Sequence, residues 1–240
     1  MTTTSTGDGA WTSVVGAVDI SDDVVIAHDV TLDGNVDMTG TLTINSGNLN
    51  TTGSNHNLTV SGATTIGDGS SSADTATLTC NASTISLGSG VTGTHSLVVQ
   101  AGGTFVGGSG AHTLGSLNIK NSTAAKCTLS SGNTTINGEG SSNKAINIEG
   151  SNGTTNFAHG SGTVIITLGA GSDIKADGVT LTLNNLTINH ASADINTKGN
   201  LTCVGDVTIT AGILDGEDDA ISFGSLTIES GGTYSATSGT

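Results

Sequence analysis

Proline and arginine are absent from this chain, and aromatic side chains make up 2% of its 240 residues. Each shortage excludes something. Five lysines against twenty acids give a net charge of −15, which leaves little to displace counterions from phosphate, so nucleic-acid binding is excluded as a role. Scarce aromatics remove the signatures of propeller blades, whose repeats run roughly 40 residues. No apolar run is long enough to span a bilayer, and no membrane insertion is expected. The opening, Met1-Thr-Thr-Thr-Ser-Thr-Gly7, has neither a basic nor an apolar segment, so no Sec signal is expected there. Charged residues are only 10%, whereas disordered chains are usually rich in charge and proline. The many Val, Ile and Thr residues instead suit a pleated, half-buried surface.

Three cysteines, Cys80, Cys127 and Cys203, cannot all pair within the chain. Each alternates with apolar neighbours, and the expectation is reduced thiols used as small core side chains. The charge is uneven: nine acids and no lysine precede Lys120.

What the chain has in quantity is a short strand-like triplet, apolar at its first and third residues. It occurs at Leu42-Thr-Ile44, Leu58-Thr-Val60, Leu78-Thr-Cys80, Leu97-Val-Val99, Leu117-Asn-Ile119, Ile146-Asn-Ile148, Leu186-Thr-Ile188, Val207-Thr-Ile209 and Leu226-Thr-Ile228. From Leu58 to Leu117 the steps are 20, 19 and 20 residues, and from Leu186 to Leu226 they are 21 and 19. A fixed period of that size marks a solenoid. A sandwich would show no fixed period, and the hexapeptide pattern of left-handed helices is missing. The expected fold is all-β: a right-handed parallel β-helix with coils of about 20 residues. About ten to twelve coils would make a rod of roughly 50 Å. Several triplets are followed by a Gly and then an apolar residue, as in Leu42-Thr-Ile-Asn-Ser-Gly47-Asn-Leu49 and Val207-Thr-Ile-Thr-Ala-Gly212-Ile-Leu214, which reads as strand, corner, strand. Asn121 to Gly162 breaks the spacing. Residues 1–35 read as a cap or first coil and 36–240 as the solenoid body, which is expected to continue in a longer parent protein.

Carboxylates held several ångströms apart across a sugar hydrolyse glycosidic bonds. The candidates are Asp22/Asp23, Asp173/Asp177 and Glu217-Asp218-Asp219. Adjacent strand residues point to opposite faces, so a run is not a site. Solvated turns are the expected setting, and no catalytic or cofactor-binding residue is assigned. Calcium takes about six to eight oxygens, several from carboxylates, and Glu217, Asp218 and Asp219 are the weak calcium candidates. Otherwise no cofactor is expected. The calcium nonapeptide is present only in degraded form, at Gly107-Gly-Ser-Gly-Ala-His112, with His where Asp is required. His28, His56, His95, His112, His159 and His190 show no zinc spacing and are expected at the surface or in turns. Gly-Asp-Gly at 7–9 and at 67–69 is turn chemistry. Asn57-Leu-Thr59 and Asn185-Leu-Thr187 are sequons of the kind this composition produces by chance.

The residues flanking the first apolar triplet position should face outward. They read Thr41/Thr43, Asn57/Thr59, Thr77/Thr79, Ser96/Val98, Ser116/Asn118, Ala145/Asn147, Asn185/Thr187, Asp206/Thr208 and Ser225/Thr227. Only two pairs are Thr-x-Thr, a ladder too irregular to match an ice lattice.

The segment Gly9-Ala-Trp11 followed by Ser21-Asp-Asp-Val-Val-Ile26-Ala-His-Asp-Val-Thr-Leu-Asp-Gly34 resembles the opening of β-helix repeat proteins of phage particles and bacterial surfaces. It departs from that pattern in Ser21 at the turn glycine, in having no second Trp and in lacking Pro. The resemblance covers architecture only and implies no catalytic residues. An extracellular texture without a Sec signal, taken with that architecture, makes the expected function a non-enzymatic structural or adhesive rod: a phage fibre, spike or decoration protein located in the virion. The resemblance also implies a homo-oligomer, a trimer being the symmetric form, with other virion proteins or surface glycans as partners. The alternatives are an extracellular or cell-surface adhesin that binds glycans, and a polysaccharide depolymerase.

Overall fold

The computed structural model describes residues 2–5, 9–11, 18–21, 23–51, 54–70, 75–89, 93–150, 156–177 and 179–236. The elements bounded within these residues are all strands. All the strand pairings are parallel. One isolated antiparallel bridge joins Gly140 to Lys144. Most strands are three or four residues long, with an apolar residue inward at each end and a polar one outward between them. That alternation fits a sheet with one dry face, which a β-solenoid provides and a doubly covered parallel sheet does not.

The strands fall into three stacks. The first runs through Thr2–Ser5, Asp23–Ile26, Leu42–Ile44, Thr64–Ile66, Leu97–Val99, Leu117–Ile119, Lys144–Ile148 and Gly171–Ala176. The second runs through Gly9–Trp11, Val30–Leu32, Gly47–Asn50, Ala76–Thr79, Gly103–Val106, Lys126–Thr128 and Phe157–Ala158. The third runs through Val18–Ile20, Val36–Met38, Leu58–Val60, Ile85–Leu87, His112–Leu114, Asn133–Ile136 and Thr163–Ile166. Three long strands, Asn185–Lys198, Leu201–Asp215 and Ile221–Ser235, then bend around the corners and continue the third and first stacks. Leu181–Leu183 pairs with the start of Leu201–Asp215 and stands, in chain order, where the second stack stands earlier.

Side chains of one kind line up along the stacks. Ile26, Ile44, Ile66, Val99, Ile119 and Ile148 follow one another at a single register position, each fully buried. Burying such a side chain is worth about 1.5–3 kcal/mol, and the columns merge into a single continuous core. The cysteines belong to it as expected: Cys127 lies in register between Phe105 and Phe157, and Cys203 between Leu183 and Phe223. Burial raises all three thiol pKa values, that of Cys203 to about 12.

Register corrects the triplet period. Leu58, Leu78 and Leu97 stand on the third, second and first stacks, so their even spacing is not a stacking distance. Leu58 pairs instead with Ile85, 27 residues on, and Thr64 with Leu97, 33 on. Genuine steps near 20 occur at Leu97–Leu117 and at Leu186–Val207–Leu226. The difference lies in turns that leave the rod and return, because parallel pairing fixes the strands and lets the connections vary. The segment that broke the spacing stacks in the same way: Cys127 pairs with Phe157 and Thr134 with Val164, 30 residues apart in each case.

Candidate functional site

Turns of three successive coils converge on one corner, after the strands Gly171–Ala176, Asn185–Lys198 and Leu201–Asp215. They enclose an open cleft of about 390 Å³ lined by Ala176, Asp177, Val179, Thr180, Lys198, Gly199, Asn200 and Asp219. Gly199 has φ +121°, and a side chain there would overlap the carbonyl of Ala176, so the corner needs glycine. Its N–H donates to Asp219 Oδ2 at 2.7 Å. Asn200 Oδ1 accepts from the Ala220 N–H at 3.1 Å. Lys198 pairs with Glu217, and Lys175 with Asp177 at 2.7 Å. The Lys198 pKa is raised, first by the Glu217 hydrogen bond and then by the charges of Glu217, Asp173 and Asp219.

Two of the sequence candidates, Asp173/Asp177 and Glu217-Asp218-Asp219, therefore belong to one neighbourhood. Their numbering hides this because each coil adds only its own turn. The lysines that balance them, Lys175 and Lys198, carried no sequence signal. Among the described residues no three His, Cys, Asp or Glu side chains converge as metal ligands. Chemically, the cleft offers carboxylate, ammonium, amide and hydroxyl groups at hydrogen-bonding range of one small polar guest.

Asp22 of the remaining carboxylate pair lies outside the described residues. Asp23 Oδ1 accepts from both the backbone N–H and the hydroxyl of Thr41, each at 2.8 Å, which lowers its pKa. Asp68 does the same for Ser70 and its pKa is lowered likewise, as turn chemistry at 67–69 requires. Gly7 and Asp8 lie outside the described residues.

The histidines divide. His159 and His190 each accept through Nδ1 from the N–H two residues on. His112 departs from the surface expectation: it is 1% exposed and stands in register between Ile85 and Thr134. Its ring meets Phe105 edge to face at 5.8 Å. Burial drives its pKa down to about 4. Sequence reasoning missed it because His112-Thr-Leu114 is an apolar triplet with histidine in the first apolar place. His95 is half-buried where the turn through Gly140 packs on its ring, and burial followed by the charges of Lys120 and Lys144 lowers its pKa.

The outward flanks also differ from expectation. Ser96, Ser116, Asn118, Ala145 and Asn147 are buried. Ser96 donates to the Gly88 carbonyl at 2.9 Å, and its own N–H reaches the Ser116 hydroxyl at 3.0 Å. Asn147 donates to Asn118 at 3.0 Å, and Glu149 closes this row by accepting from Asn118 and Lys120. Sorted by stack, the flanks make different ladders. On the third stack Thr59, Ser86, Thr113, Thr135, Ile165, Thr187, Thr208 and Thr227 stand one above another.

No family model, curated protein or solved structure matches this chain.

Proposed function

We propose that the chain is a non-enzymatic structural or adhesive β-solenoid, above all a phage virion fibre, spike or decoration protein. The observation that carries this reading is the parallel stacking that runs through the first and third stacks from Thr2–Ser5 to Ile221–Ser235, with many polar groups joining neighbouring turns. A chain built this way is a spacer. Its rise of about 4.8 Å per coil gives a rod of roughly 45 Å for the ten strands of the third stack. Right-handed winding follows from the strong preference of parallel crossovers for that hand. Coils of about 20 residues form the ends of the rod, with longer ones between. We place the protein in the virion as a homo-oligomer, a trimer being the symmetric arrangement, in contact with other virion proteins. The test is reconstruction and mass spectrometry of purified particles from the source of the sequence. A rod of these dimensions is expected, and its absence from the particles overturns the reading.

The corner cleft favours a second reading, a surface adhesin whose ligand is a glycan. Asp177, Thr180 and Asn200 line it with groups that suit a sugar's hydroxyls, Lys198 and Asp219 being held by Glu217 and by the Gly199 N–H, and the volume suits one or two sugar units. Binding to immobilised capsular glycans that is lost in Asp177→Ala and Thr180→Val supports it. Turnover of those glycans, lost in the same Asp variant, would make the protein a depolymerase instead. Calcium at Glu217, Asp218 and Asp219 is the weakest of these proposals, because Glu217 would have to leave Lys198 and Asp219 the Gly199 N–H.

A further inference from the structure

Side-chain hydrogen bonds join adjacent coils at many corners, as between Thr41 and Asp23. Two others span a whole coil, an exception to the nearest-neighbour contacts of a solenoid. Asn137 Nδ2 donates to Ser89 Oγ at 2.6 Å, and Ser141 Oγ to the Gly93 carbonyl at 3.1 Å. Ser89 and Gly93 lie between the strands Ile85–Leu87 and Leu97–Val99, whereas Asn137 and Ser141 lie between Asn133–Ile136 and Lys144–Ile148. The coil in the middle, through His112–Leu114, makes the same corner with only Gly115 and Ser116, both buried. Residues 138–143 therefore form a strap across that short corner. The Gly138 N–H donates to the Gly115 carbonyl at 2.8 Å, and the Gly140 N–H to the Lys144 carbonyl at 2.8 Å. The strap also rests on a side chain. Gly140 lies so close to the His95 ring that a Cβ there would come within 1.9 Å of Nδ1.

This seat suits a neutral imidazole and not a charged one. His95 Nδ1 is buried with no hydrogen-bond partner, and the imidazolium, which carries a proton on each nitrogen, would have an N–H there without an acceptor. Lys120 and Lys144 place two ammonium groups near the ring. Glu149 is the carboxylate that would offset them, but it is held by Lys120 at 2.8 Å and by Asn118 at 3.2 Å. Glu139, on the strap itself, keeps Oε2 buried without a partner. Ser142 and Asn143, where the strap returns to the sheet, have φ of +61° and +57°, a backbone that residues with side chains rarely adopt.

We propose that 138–143 is a pH-sensitive strap, closed over the Gly115-Ser116 corner while His95 is neutral and lifted when His95 takes up a proton. Burial, followed by the charges of Lys120 and Lys144, lowers the His95 pKa in the closed form, with Glu149 acting the other way. An imidazole in water takes its proton near pH 6.5. Closure is therefore at full strength above about pH 6.5 and weakens as pH falls through the lowered value. Lifting frees the ring from Gly140, lets water reach Nδ1 and uncovers the hydroxyls of Ser96 and Ser116, which are 0% exposed when the strap is closed. The coils stay paired, because Asn133–Ile136 and Lys144–Ile148 on either side of the strap hold their own ladders.

Amide exchange read residue by residue by NMR at about pH 7.5 and about pH 5, corrected for intrinsic rates, tests the strap. Protection of Gly138 and Ser96 should fall in acid by up to about tenfold for each unit of pH, the limit for a single proton. The amides of Leu201–Asp215, away from the strap, should keep theirs. His95→Gln should hold the strap closed at both pH values. His112→Leu should leave the response intact, because the buried imidazole of the middle coil takes no part in it. A readout free of substitutions is the His95 ring itself: its titration and the shift of the Gly138 amide should share one midpoint, below about pH 6.5. Unchanged protection overturns the proposal. So does a fall that persists in His95→Gln, or one that vanishes in His112→Leu and so places the trigger in the core. A rise in protection in acid would mean that Glu139 captures the protonated ring, and overturns it too.

Discussion

At the scale of single residues, the least expected feature is an imidazole in a dry core. His112 fills a place that Ile85 takes one coil earlier, against Phe105, and the Gly107 backbone offers its ring a contact that only partly offsets burial. A buried histidine without an acid beside it stays neutral, which is the cause of its pKa of about 4. The unfolded chain takes up this proton near pH 6.5 and the folded chain near pH 4. Stability from this group is therefore complete above about pH 6.5 and drains away as pH falls toward 4, by on the order of 3 kcal/mol. Asp23 and Asp68, whose pKa values are lowered, titrate below that window. His95 shifts in the same direction as His112, so a variant is needed to separate them. Urea denaturation at pH 7.5 and 4.5 should show a loss in the unaltered chain that His112→Leu reduces by most of its size. An equal loss in both would assign the acid sensitivity elsewhere.

At the scale of elements, strands were legible in the sequence and their partners were not. The triplets name strands correctly because a three-residue strand with one dry face needs an apolar residue at each end. Pairing depends on how far each connection wanders, and nothing in a triplet records which of the three stacks it joins. Leu58, Leu78 and Leu97 show the failure, and Leu186, Val207 and Leu226 show where short uniform turns made spacing and stacking coincide. The corner cleft was half legible for the same reason. Its acids were visible as runs, but their convergence with Lys198 is a property of stacking. The corners themselves carry a testable requirement. Gly47 has φ +74°, and a side chain there would overlap the backbone of His28 in the coil above. Gly93 has φ +82° with open space around it. Gly93→Ala should cost about 1 kcal/mol, the penalty of the left-handed conformation alone. Gly47→Ala adds a clash between coils and should cost roughly 3 kcal/mol or more. Urea midpoints of the two variants measure the difference, and equal midpoints would show that coil contact at Gly47 contributes nothing.

At the scale of the whole molecule, the distribution of charge sets an asymmetry along the rod. All five lysines lie from Lys120 to Lys198, and three of them pair with acids of their own neighbourhood. Ahead of Lys120 there are nine acids and no cation. Stacking sharpens this, because those acids stand on coils that carry no cation to offset them. In a solenoid each coil touches only its neighbours, so such a strain stays local instead of spreading over the fold. Salt shortens the range of repulsion to about 8 Å at physiological ionic strength, from about 30 Å at 0.01 M. Raising the salt should therefore slow amide exchange more in the strands before Lys120 than in those from Lys144–Ile148 to Leu201–Asp215, where screening weakens attraction as well as repulsion. Exchange measured strand by strand at about 0.01 M and about 0.15 M salt reads this directly. A uniform change along the rod would mean that the charges act through the net field of the molecule, and a change confined to the N-terminal coils would show that the acid-only half is held together by its core against its own surface.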